Sequence, residues 1–208
     1  MKKKLVVLGV SVLAVATLVV PAAAFAATTA TSQLSQSITA GVLSTDIRDA
    51  SNVVVASPSF ALSAVAASTG QQTSTGTFGT TSQRISVDNP GGANNGWTLA
   101  LNATTPGTGT WTSGGNSYAY NGTAAAGQLT INPAAGTITP VTGGATGVTK
   151  GTSAAFSGTT PITLMTAANT AATIWNGYIT GIGVSQTIPA AQPIGSYTLN
   201  LTQTVTAS

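Results

Sequence analysis

Residues 85–101, ISVDNPGGANNGWTLAL, alternate apolar and polar side chains on both sides of a turn-rich centre. Ile85 and Val87 precede that centre, and Trp97, Leu99 and Leu101 follow it. A period of two is the mark of a strand with one buried face, and it does not fit the 3.6-residue period of an amphipathic helix. Asp88, Asn89, Pro90, Gly91, Gly92, Asn94, Asn95 and Gly96 supply the turn: glycine accepts positive φ, proline fixes φ, and Asx side chains bond nearby backbone amides. The segment reads as a β-hairpin or as a strand, loop, strand corner.

The rest of the chain supplies partners. Residues 197–206 alternate most cleanly, with Tyr197, Leu199, Leu201, Gln203 and Val205 on one face and Thr198, Asn200, Thr202, Thr204 and Thr206 on the other. The second face is expected to meet water. A first strand is predicted over 32–43 with Leu34, Ile38 and Val42 inward, then a charged turn at 46–51, and a second strand over 52–62 that Pro58 breaks or sends to an edge. Residues 61–67 read as strand or irregular. Strands follow at 73–78 and 83–88, and residues 104–116 form a loop with Trp111 in its middle. Short strands are predicted at 117–120, 128–132 and 137–141, with one more near 154–156 inside a long connection over 143–161. Residues 162–165 and 174–184 begin the final group. No fixed repeat and no long amphipathic helix stand out, so the expected fold is all-β, an antiparallel β-sandwich of immunoglobulin-like or jelly-roll-like kind.

Charge has to be counted after the N-terminus is set aside. Lys2, Lys3 and Lys4 precede an apolar run, and Ala24 and Ala26 flank Phe25 in a small-residue cleavage site. Residues 1–26 read as a secretory signal peptide, leaving 27–208 as a single domain. The apolar run is shorter than the roughly 20 residues that span a bilayer, so no membrane span is expected after cleavage. Beyond residue 26 the basic residues are Arg48, Arg84 and Lys150 and the acidic ones Asp46, Asp49 and Asp88. The basic pI therefore belongs to the leader and argues for no nucleic-acid partner.

The chain has no cysteine and no histidine. An exported domain of this size then relies on its core rather than on disulfides. No metal is expected, because imidazole and thiolate ligands are missing, and no cofactor is implied. Acid–base catalysis would fall to three aspartates. Asp46 and Asp49 read as a turn-capping pair balanced by Arg48, and Asp88 as an Asx-turn residue. No serine sits in a G-x-S-x-G elbow, so no catalytic residue is assigned and the chain is not expected to be an enzyme. Trp111, Tyr118, Tyr120, Trp175 and Tyr178 are candidates for stacking on sugar rings, with Trp111 the foremost because it sits in a glycine-rich loop.

The segment around Trp97, Thr98 and Leu99, with Phe78 and Gly79 shortly before it, resembles the first signature of WxL-domain bacterial surface proteins. Gly195-x-Tyr197 and the Thr-rich strand after it are similar to the closing hairpin of that family. Where the family carries its second W-x-L, this chain reads Gln203, Thr204 and Val205. The resemblance implies an extracellular, cell-surface protein that attaches non-covalently to peptidoglycan or another envelope glycan and acts with other surface proteins. Trp97, Thr98, Leu99 and Trp111 are then the candidate ligand-binding residues. Two further readings stand beside it. One is self-association into a surface layer, fibre or pilus, since few charges protect the strand edges; the other is a carbohydrate-binding module.

Overall fold

In the computed structural model the described residues are 32–208. The signal peptide expected at 1–26 lies outside them. In chain order the strands are β1 (Ser44–Arg48), β2 (Gln72–Phe78), β3 (Arg84–Pro90), β4 (Trp97–Ala103), β5 (Thr110–Ser113), β6 (Asn116–Ala119) and β7 (Leu129–Asn132). A 3-10 turn at Pro133–Ala135 leads to β8 (Thr137–Thr142), β9 (Val148–Lys150), β10 (Ala154–Ala155), β11 (Ile162–Ala167), β12 (Ile174–Thr180), β13 (Ile182–Ile188) and β14 (Leu201–Ala207). All pairings are antiparallel. Residues 38–208 form one compact unit.

Three runs of chain build most of it. The first is β2, β3, β4; the second is β11, β12, β13; the third is β7, β8, β9. They lie side by side, with the second in the middle, in three successive sheets: a distal sheet (β2-β13-β7), a central sheet (β3-β12-β8) and a facing sheet (β4-β11-β9). One further strand flanks each sheet: β10 beside β7, β1 beside β3, and β14 beside β4. Strands β5 and β6 make a separate hairpin. The fold is thus an all-β sandwich in which the facing sheet returns over the central one.

The runs bend from the distal into the central sheet along a line of glycines. The amide of Gly181 donates to the carbonyl of Gly79 at 2.8 Å, and both residues have positive φ, +76° and +81°. At Gly136, in the third run, a side chain would press on the Thr180 carbonyl at 3.0 Å. Only glycine meets all three demands without strain.

At the opposite end of the central sheet the runs cross to the facing sheet through loops 91–96, 143–147 and 168–173. Asn89 ties two of them together from inside: its side-chain oxygen accepts from the Ala93 amide at 2.9 Å, and its Nδ2 donates to the carbonyls of Ala93 and Thr173, each at 3.1 Å. The Asx role expected of Asp88 belongs to Asn89, because Asp88 lies in β3 between Ser44 and Asn176. The core beneath is built from alternate residues of the predicted strands, among them Ile85, Val87, Leu99, Leu101, Ile179 and Ile182.

Of the two readings of residues 85–101 the corner is the one that forms, since β3 and β4 belong to different sheets. Several other expectations are corrected. No strand forms over 32–43, where Leu34, Ile38 and Val42 are 93%, 91% and 83% exposed. The charged segment pairs in its place, as β1 in register Ser44↔Asp88 to Arg48↔Arg84, covering almost the whole outer edge of β3. Its charges stay at the rim, where Arg48 bonds Asp46 at 2.9 Å. The turn comes one step later, with the Asp49 carboxylate accepting from the amides of Ser51 and Val53. Residues 52–62 make only single bridges, Val54 to Arg48 and Leu62 to Gly76. Trp111 stands in β5 instead of a loop.

The glycine requirement can be checked by chemical denaturation. Gly181→Ala meets no atom nearer than 3.8 Å, so its cost is conformational, about 1–2 kcal/mol. Gly96→Ala, at φ +104° and driven onto the Ala167 carbonyl, is expected to cost clearly more.

Candidate functional site

Trp97 opens β4 directly after the 91–96 loop and points inward, 1% exposed, against the fully buried Trp175 of β12. The ring centroids lie 5.2 Å apart at 49°, joining the facing sheet to the central sheet. Trp175 Nε1 donates to the Gly144 carbonyl at 2.8 Å, which fixes the 143–147 loop over the pair. Trp97 Nε1 is buried with no partner. Leu99 is also buried, opposite Met165 and Val205. Thr98 alone of the three turns to the outer face, between Thr166 and Thr206. The W-x-L segment is therefore split by the strand period into two core residues and one surface residue.

Trp111 belongs to a different place. Its cross-strand partner is Tyr118, with rings 6.1 Å apart and nearly parallel at 13°. Its Nε1 donates to Oε1 of the buried Gln186 at 2.8 Å. Tyr118 packs edge-on against Tyr197 at 5.1 Å. Thr112 and Thr198 exchange backbone bonds, 3.0 and 2.9 Å, and so hold the β5–β6 hairpin against the segment that leads into β14.

These aromatics form one wall of a groove of about 720 Å³. Leu199, Leu201 and Gln203 line it from the β14 side, Leu129, Ile131 and Val184 from the distal sheet, and segment 58–68 closes a flank. Among the described residues none of its lining side chains is charged. Trp97 is not part of it, so the structure does not bring Trp97 and Trp111 together.

The other stacking candidates are used elsewhere. Tyr120 is buried against Phe156 at 5.3 Å, and its hydroxyl accepts from the Gly107 amide. Tyr178 lies under the Arg84 guanidinium at 4.6 Å. Asp46 and Asp49 are engaged in the ion pair and the turn already described. Among the described residues no three His, Cys, Asp or Glu side chains gather where an ion could be held. No described helix is long and apolar enough to cross a membrane.

Two polar residues escaped the sequence reading, Gln203 on the groove wall and Gln186 behind Trp111. Gln203 alternates in phase with leucines and reads as a core-facing position, but nothing in the pattern shows that it faces a groove. Its amide orientation is set by neighbours: the Thr45 hydroxyl donates to the Ser86 carbonyl at 2.8 Å and so accepts from Gln203 Nε2, also at 2.8 Å. That leaves Gln203 Oε1 buried and unpartnered. Gln186, the support of Trp111, was likewise one polar residue among many.

No protein-family model matches the chain, and neither the curated proteins nor the solved structures contain a match to it.

Burial first, and then the neighbouring Tyr197, push the Tyr118 hydroxyl up to about 12 from its ordinary 10. Above pH 10 the unfolded chain loses this proton while the folded one keeps it, so the contribution to stability falls between pH 10 and 12. Ultraviolet titration is expected to show a late tyrosine step that Tyr118→Phe removes, along with part of the alkaline loss of stability. Trp97→Ala is expected to cost about 3–5 kcal/mol in denaturant unfolding, as a core truncation does.

Proposed function

We propose that this chain is an exported, non-enzymatic protein of the bacterial cell surface that works by non-covalent attachment, to the wall or to other surface proteins. The groove carries this reading. It is a large concavity with mostly apolar and aromatic walls and a few polar groups, the composition of a site that receives a ligand or a chain segment. The resemblance to WxL proteins supports the same cellular setting. The attaching surface differs from the one the motif implies, because Trp97 and Leu99 have no surface to offer. Attachment falls instead to the groove and to Trp111 on its wall.

Self-assembly into a layer, fibre or pilus is the second reading, and β14 favours it. It is one of the two edge strands of the facing sheet, and residues 197–208 contain no charge to guard that edge. Glycan stacking has less support, since Trp111 and Tyr118 stack on each other and Tyr118 meets Tyr197.

The processed protein is expected to be retained on isolated cell-wall sacculi or to capture other surface proteins. Ile194→Asp, at a groove residue that is 83% exposed, is expected to weaken that retention at least tenfold, and Thr98→Ala to leave it unchanged. No retention of the wild type on sacculi or surface proteins overturns the attachment reading. Light scattering decides the second reading: mass that rises with concentration supports assembly, and a monomer throughout removes it.

A further inference from the structure

The segment expected to be the first strand has the pattern of a strand and no strand neighbour. Over 32–40, Leu34, Gln36, Ile38 and Ala40 share one face, and Ser35, Ser37 and Thr39 the other. Leu34 and Ile38 are exposed, and residues 32–43 hold no charge. Leaving such a face in water is unfavourable unless something covers it.

The β14 edge offers the complementary place. Ser208 N donates to the Gly96 carbonyl and Thr104 N to the Asn200 carbonyl, so the even-numbered residues of β14 bond to β4. By the antiparallel alternation, the N–H and C=O groups of Leu201, Gln203 and Val205 point away from β4. Leu199, Leu201 and Gln203 also turn their side chains into the groove. A strand laid on this edge gains backbone bonds and sends every second side chain inward. One inward position asks for a donor, because Gln203 Oε1 is buried without one.

We propose that residues 32–40 of a second copy occupy this edge as an antiparallel strand, with Gln36 opposite Gln203. That register sets Leu34 against Val205, Ile38 against Leu201 and Ala40 against Leu199, so apolar meets apolar and amide meets amide. Antiparallel direction follows the rest of the facing sheet. Nine extended residues reach about 30 Å, enough to run along β14. The groove is uncharged, like the arm.

A second copy is chosen over the same chain because exit and entrance lie at opposite ends. The Gly41 amide donates to the Pro90 carbonyl at 2.9 Å, so the chain leaves beside the crossing loops, whereas the groove faces the distal sheet. Such a head-to-tail contact repeats along a filament where its rotation does not close into a ring. The proposal rests on the self-assembly reading and names its mechanism as strand addition at a sheet edge.

The absence of native cysteine makes the test direct. Two full-length, processed variants of different tag size, Ile38→Cys and Leu201→Cys, are mixed under mild oxidation. A disulfide heterodimer is expected, at least tenfold above the yield when Leu201→Cys is replaced by Val205→Cys or by the outward Thr202→Cys. Equal yields, or preference for Val205→Cys, overturn the register. In the double variant a ladder of linked multimers is expected, and a ring-closed monomer overturns the second-copy occupant. Ile38→Asp, at a residue too exposed to disturb folding, is expected to lower association at least tenfold by light scattering. Oligomers that persist in Ile38→Asp without the cross-link remove the arm and leave self-assembly standing, whereas a wild-type monomer at every concentration removes both.

Discussion

Every layer of the molecule depends on three chain runs bending together. The second run turns between β12 and β13 at a single residue, Gly181, and its neighbour on one side must bend at the same height, at Gly79. The amide-to-carbonyl bond between those two glycines keeps the first and second runs in step through the bend. A side chain at either place costs about 1–2 kcal/mol from its φ alone, and at Gly79 it also meets the Ile179 carbonyl at 3.0 Å. Without the bend, the distal sheet would continue straight on and no groove would exist beside it.

The other end of the central sheet is held by different chemistry. There the loops vary in length, and buried side chains set their positions. Asn89 bonds across two of them from the end of β3, and Trp175 bonds the third through Gly144. The Trp97–Trp175 contact sits directly below and connects the facing sheet to the central one. In a chain without disulfides, this polar-over-aromatic arrangement is what keeps three crossing loops in register. The Trp97 N–H is left without a partner, a cost accepted because the ring fills the corner where the chain changes sheets.

What was legible in the sequence was the alternation. Period-two patterning at 85–87, 97–101 and 197–206 placed strands within a few residues of their observed bounds and put Ile85, Val87, Trp97, Leu99 and Leu101 on buried faces, whereas 174–184 read as one segment although Gly181 divides it between β12 and β13. Pairing was not legible, because period two says which face is buried but not which strand lies alongside. Residues 85–101 therefore read equally well as hairpin or corner. The charged segment at 46–51 read as a turn because charges usually mark one, yet an edge strand tolerates charges that lean outward, as Asp46 and Arg48 do. Trp111 looked free in a run of Thr and Gly, and only the register Trp111↔Tyr118 reveals its partner.

The failure at 32–43 is of another kind, since apolar residues recur there on one face and yet no strand forms and that face is exposed. Alternation specifies a strand's faces, but a strand exists only beside an edge, and β1 has already taken the outer edge of β3. Of the two edges of the facing sheet, β9 carries Lys150 and β14 carries no charge; the inward residues of β14 are only half buried, although they follow the apolar phase as cleanly as any in the chain. Natural edge strands are ordinarily guarded by lysine, proline or a bulge. Residues 197–208 have none of these guards, and the 32–43 arm has none either. An exposed arm with a strand's pattern and an open edge with a core's pattern are each unfavourable alone. They stop being so when one covers the other.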